Sequence, residues 1–182
     1  MNRIQLLPLG NVPASLLNDL RDGLSRRFRA RCEILSREPD PSYALNINRQ
    51  QYSSTEILAR MANRPAPDAW KLLGVTGVDL YIPILTFVFG EAQLHGACAV
   101  ISTHRLGQEV YGLPPDPGLL RERVLKEAVH ELGHTLTLTH CTDYRCVMAA
   151  SHSVEWIDLK TADFCAHCRA RVPATIPSLE DT

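Results

Sequence analysis

The stretch His130-Glu131-Leu132-Gly133-His134-Thr135-Leu136-Thr137-Leu138-Thr139-His140-Cys141 decides how this chain is read. Its first five residues form an HExxH pattern. Residues four apart lie on one face of a helix, so the His130 and His134 imidazoles reach the same ion. Glu131 stands beside the first histidine, on the flank of that helix, where a carboxylate can take a proton from metal-bound water. Upstream, Asp116-Pro117 reads as the helix start, an acidic N-cap followed by proline at the first helical position. The helix should run to about Leu136.

His140 needs a different geometry. Six residues beyond His134, a continuous helix would turn it about 240° away. The chain must therefore leave the helix between them if both are to bind one metal. Thr135 to Thr139 alternates β-branched polar residues with leucine, a pattern that favours this exit.

A second constellation begins at the next residue. Cys141-x4-Cys146 and Cys165-x2-Cys168 are two close pairs. That is the layout of a closed tetrahedral thiolate site, with all positions filled and no water activated. Because His140 and Cys141 are neighbours, one turn of chain feeds both sites. A structural ion on the cysteines would then fix the backbone that presents His140. Two disulfides are the alternative, and they suit an oxidising compartment.

The N-terminus argues against that compartment, since Met1 to Gly10 lacks the apolar core and cleavage site of a signal peptide. A cytoplasmic protein is expected. The chain has 182 residues, 45% apolar and 21% charged, which is ordinary globular composition and excludes disorder and coiled coil. A net charge of −1 provides no general attraction to nucleic acid or anionic membranes. No apolar run approaches the ~18 residues of a membrane span.

Working outward, Arg3 to Leu7 reads as a strand ended by Pro8 and Gly10. Leu16, Leu17, Leu20, Leu24 and Phe28 recur at helical spacing over 14–29. Cys32 to Leu35 and Tyr43 to Asn46 are short strand candidates. Ser53-Ser54-Thr55-Glu56 has capping-box spacing and opens a helix to about Asn63, halted by Pro65 and Pro67. Leu72 to Val75, Val78 to Tyr81 and Ala97 to Ser102 read as further strands, and a short helix is expected near 157–170. The architecture is a mixed sheet backed by helices, with a metal-clamped C-terminal lobe. Division falls at about 1–137 and 138–172 of one domain, with 173–182 as a frayed tail.

The run His130 to Cys168, with Met148 two residues after Cys146, resembles the archaemetzincins, a branch of the metzincin metallopeptidases. Asn48 to Tyr52, Leu73 to Tyr81, Phe87 to Ala92 and Ser102 to Leu106 are similar as well. The resemblance implies an α+β zincin-like fold: a twisted mixed β-sheet, a backing helix and an active-site helix. It implies His130, His134 and His140 on a catalytic zinc, Glu131 as general base, and Met148 as an apolar floor beneath the metal. It also implies that Ala97 to Ser102 is the sheet edge where an extended peptide adds as a strand. Metzincins carry glycine three residues after the second histidine; here that position is Thr137. A β-branched residue there is strained by about 1–3 kcal/mol if the backbone must take positive φ.

These observations predict a monomeric zinc peptidase with two Zn2+ per chain, acting on a peptide or protein. The alternatives are a zinc-stabilised peptide-binding module without hydrolysis, motivated by Thr137, and a purely structural zinc protein. Substrate-contacting residues are not assigned. The basic run Arg26, Arg27, Arg29 and Arg31 reads as a solvated helix end. His152 and His167 read as surface residues, and His95 and His104 as flanks of the presumed edge strand. Cys32 and Cys98 read as buried apolar residues.

Overall fold

The computed structural model describes residues 2–64 and 69–172. Pro65, Pro67 and the 173–182 tail lie outside the described residues. In chain order the elements are β1 (Arg3–Leu9), α1 (Ala14–Phe28), β2 (Arg31–Ile34), β3 (Leu45–Asn46), β4 (Gln51–Ser53), α2 (Ser54–Ala62) and β5 (Lys71–Thr76). They continue with β6 (Leu80–Tyr81), β7 (Gly90–Ala92), β8 (Cys98–Ser102), α3 (Pro117–Thr135), α4 (Val154–Leu159) and α5 (Ala166–Arg171).

Five strands form the main sheet in the order β2-β1-β5-β8-β7, all parallel except β7, which runs antiparallel to β8. The inner strands are apolar on both faces because both faces are covered. Ile4, Leu6, Leu73, Val75, Ala99 and Ile101 pack with α1 and α3, while Leu7, Leu9, Leu72 and Val100 pack with Ile57, Leu58 and Met61 of α2. Each leucine, isoleucine, valine and methionine among them contributes roughly 1.5–3 kcal/mol by leaving water. A small sheet, β3-β4-β6, lies beside α2.

Both expected caps form. The Ser53 side chain accepts from Glu56 N–H at 3.3 Å, and Asp116 Oδ1 accepts from Leu119 N–H at 2.9 Å with Pro117 at the first position. Other expectations need correction. The presumed edge strand, Ala97 to Ser102, is internal: β8 is buried throughout between β5 and β7, and the edge is the short β7. The first strand continues through Pro8 to Leu9, because the Pro8 carbonyl still accepts a bond, from Glu38 N–H at 2.9 Å. Tyr43 to Asn46 begins as a 3-10 turn at Ser42–Ala44 and is extended only at β3. Of Val78 to Tyr81 only β6 pairs. The helix expected near 157–170 is two helices, α4 and α5, separated by the segment that carries Lys160 and Cys165.

Among the described residues no helix is long and apolar enough to cross a membrane.

Candidate metal centre

Helix α3 ends in a Schellman turn. Thr137 N–H bonds to the His134 carbonyl at 3.0 Å, and Leu138 N–H bonds back to the Gly133 carbonyl at 3.2 Å. This pattern requires a left-handed residue just past the helix, usually glycine. Thr137 fills it with φ 75°. The strain anticipated for that residue is therefore present, and the chain turns as the third histidine requires. Lys71 Nζ donates to the Thr135 carbonyl at 2.9 Å, placing a cation at the helix C-terminus, where the dipole favours it.

The turn also orients a histidine. The Leu138 carbonyl accepts from His134 Nδ1 at 2.8 Å, and the Val147 carbonyl accepts from His130 Nδ1 at 2.8 Å. A carbonyl only accepts, so both protons sit on Nδ1 and both Nε2 atoms present lone pairs. Those Nε2 atoms face each other at 3.1 Å. Two lone pairs so close repel unless a cation lies between them. The His140 ring completes the group, 5.3 Å from His130 and 5.0 Å from His134, and one nitrogen of each histidine lies within 4.8 Å of the others. Nitrogens held 2.0–2.1 Å from a tetrahedral zinc would be ~3.3 Å apart, so the donor set fits that ion. Burial lowers the pKa of all three histidines and favours the neutral form that binds metal.

The four C-terminal cysteines converge likewise, with sulfurs within 4.8 Å of one another. Cys141 Sγ lies 3.8 Å from Cys165 Sγ, far beyond a disulfide bond of ~2.05 Å and equal to the ~3.8 Å edge of a tetrahedral zinc thiolate site. All six cysteines are free, and Cys165 N–H donates to Cys146 Sγ at 3.3 Å. Cys32 and Cys98 are buried apart from this cluster, and burial pushes the Cys32 thiol up to about 12. Met148 is fully buried against α3. A Cβ on Gly133 would clash with its Sδ, so the glycine inside the motif leaves room for this side chain.

Residues 34–173 match peptidase family M54. The archaemetzincin of Methanocaldococcus jannaschii is 45% identical over 91% of this chain and 90% of its own. The chain belongs to the archaemetzincin family of M54 peptidases. The archaemetzincin of Archaeoglobus fulgidus, solved in complex with malonate, superposes with a TM-score of 0.82 at 40% identity, over 93% of this chain and 99% of that one. The Methanopyrus kandleri archaemetzincin gives 0.84 at 34% identity, over 97% and 96%. As an M54 member the chain is a zinc metallopeptidase, and its histidine and cysteine clusters are donor sets suited to that metal.

The archaemetzincin site opens into a cleft of about 770 Å³ between β7, the 82–89 segment and α3. Glu131 lies in it beside Gly90, and its neighbour one helical turn back, Glu127, is also buried there. Burial first, then the Glu127 carboxylate hydrogen-bonded to it, raises Glu131 well above the usual carboxylate range. Glu127 Oε2 has no hydrogen-bond partner among the described residues. The positive charge of buried Lys160 acts on both carboxylates.

The cleft wall is held from outside by a polar network. Arg49 Nη2 donates to the Leu85 and Thr86 carbonyls at 2.8 and 3.0 Å, and Gln51 Nε2 donates to Thr86 at 3.0 Å and to Asp79 Oδ2 at 3.0 Å. Arg105 grips Asp79 with two bonds of 2.6 and 2.7 Å while its guanidinium lies 4.3 Å over the Phe87 ring.

Sequence reasoning missed Glu127, Lys160 and Gly90. Only Glu127 left a signal, at helical spacing from His130 and Glu131. His152, read as a surface residue, is exposed but lines the cleft beside Ser151. His167 is exposed between Cys165 and Cys168, and His95 and His104 lie outside the cleft lining.

Proposed function

We propose that this chain hydrolyses peptide bonds with His130, His134 and His140 holding a catalytic zinc and Glu131 serving as general base. A second zinc, held by Cys141, Cys146, Cys165 and Cys168, would be structural. The observation that carries this reading is the pair of facing Nε2 lone pairs at 3.1 Å, with both Nδ1 protons already committed to carbonyls. When bound, the zinc supplies Lewis acidity to the scissile carbonyl and to a water molecule.

The remaining work falls to the chain. Glu131 is buried in the cleft, where burial and the neighbouring Glu127 raise its carboxyl and make it the stronger base for accepting a proton from water and returning it to the leaving amine. A cation at the histidines would oppose that rise. The edge strand β7 runs along the cleft, and a peptide or protein substrate would lie extended beside it, bonding to its free main-chain groups. Met148 is the apolar floor under the histidines. No nucleic acid or membrane has a part in this reading.

The alternative of a non-hydrolysing module rests on Thr137. That residue takes the glycine conformation and the three histidines still converge, which favours the enzyme. Glu131→Gln should keep both zincs and lower turnover of an unstructured protein substrate by at least ~10²-fold. Unchanged hydrolysis would remove the proposed base.

A further inference from the structure

Lys160 is buried, at 2% exposure, a rare state for lysine unless its ammonium is engaged. Its Nζ donates to the Ala149 carbonyl at 2.8 Å and to the Val147 carbonyl at 3.2 Å, one on either side of Met148. The Val147 carbonyl is the same atom that accepts from His130 Nδ1. One oxygen thus receives both the ammonium and the imidazole.

The strap 146–149 joins the two clusters. Cys146 begins it, and Ala149 N–H bonds to the Cys146 carbonyl at 2.9 Å. Its other main-chain bonds reach the cysteine side: Cys141 N–H donates to the Met148 carbonyl at 2.9 Å, and Val147 N–H to the Asp163 carbonyl at 3.0 Å. Lys160 lies at the end of α4, just before Thr161, whose N–H bonds to the Arg145 carbonyl at 2.9 Å. The lysine therefore stands where the cysteine lobe meets the carbonyl that sets the His130 ring. Glu127, one buried oxygen of which has no hydrogen-bond partner among the described residues, supplies negative charge nearby.

We propose that Lys160 is a positioning residue: through the Val147 carbonyl it fixes the orientation of His130, and so couples the cysteine cluster to metal binding at the histidine cluster. This rests on the reading of the histidines as a metal site. Groups that orient a ligating imidazole typically change metal affinity 10–100-fold when removed. A neutral core residue at position 160 would leave the strap without its two charge-assisted bonds.

The test is zinc per chain, measured by elemental analysis on the full-length protein equilibrated over a series of buffered free-zinc levels. The wild type should show two binding steps, and His134→Ala should lack the weaker one, which assigns that step to the histidines. Lys160→Met should move the histidine step to at least tenfold higher free zinc and leave the cysteine step in place. A shift below tenfold, or equal shifts of both steps, overturns the proposal, the latter because it would mark general loosening. If Lys160→Met does not fold, Lys160→Gln, which keeps a donor but loses the charge, is judged by the same criteria. A wild type with no histidine step at any level contradicts the proposed function itself, and two unshifted steps in the variant contradict only the role of Lys160.

Discussion

Gly90 and Glu131 touch so closely that a Cβ at position 90 would sit 2.7 Å from Glu131 Cγ and 2.8 Å from the Val100 carbonyl. The edge strand and the active-site helix are thereby in contact at the carboxylate proposed as base. Because one clash is with backbone of the adjacent strand, an added methyl cannot be absorbed by a side-chain rotation. Gly90→Ala should displace Glu131 and reduce kcat about 10- to 100-fold, the scale expected for a misplaced catalytic group. Zinc content should stay at the wild-type value. Normal kcat in that variant would show that the contact has no catalytic consequence.

Thr137 offers the opposite kind of test. Its φ of 75° stores strain, and its side chain is exposed, so little packing is lost on truncation. Thr137→Gly should stabilise the protein by about 1 kcal/mol, the strain relieved less the entropy glycine loses on folding. For a chain of this size that is a rise of about 2–4 °C in Tm by calorimetry. A fall in Tm would mean the threonine makes interactions that outweigh its strain.

The network behind the cleft wall should respond to acid. Burial alone would raise the Asp79 carboxyl, but the bonds from Arg105 and Gln51 outweigh it and hold the group below its ordinary value. The folded value is thus depressed relative to the unfolded one. The stabilisation is complete above the unfolded value of ~3.9 and is lost as pH falls through the folded value. Chemical denaturation between pH 2 and pH 6 should show this loss, and Asp79→Asn should remove it while lowering stability at pH 7 by about 2 kcal/mol. Parallel acid limbs for the two proteins would exclude Asp79 as the source.

Removing a thiolate should reach the histidines. Cys141 adjoins His140 and bonds to the Met148 carbonyl at 2.9 Å. Cys165→Ser should therefore lower zinc occupancy at both clusters, not at the cysteines alone. Elemental analysis of the variant, with and without a further His134→Ala change, separates the two losses. Full histidine-site zinc in Cys165→Ser would break the supposed coupling.

Much of this site could be read directly from the chain. His130, Glu131 and His134 are tied by helical spacing, His140 by the need to leave the helix, and the cysteines by pairing. The capped helices followed from Ser53 and from Asp116-Pro117, whose side-chain chemistry is local. What escaped was non-local. Gly90–Ala92 is too short and too polar to show strand alternation, so the edge was assigned to the more apolar β8. Gln51–Ser53 was hidden for the same reason. Lys160 is charged, and charged residues ordinarily face water, so only tertiary packing shows it inside; Glu127 shares a helix face with His130 and Glu131, but its burial too is a matter of packing. His152 has no spacing relation to either motif and reaches the cleft through a loop.

The central claim is that the three histidines hold a zinc. The most direct test is zinc per chain in protein purified without chelator, compared with His134→Ala. The account predicts two zincs in the wild type and one in the variant. An equal zinc content in both proteins would contradict it.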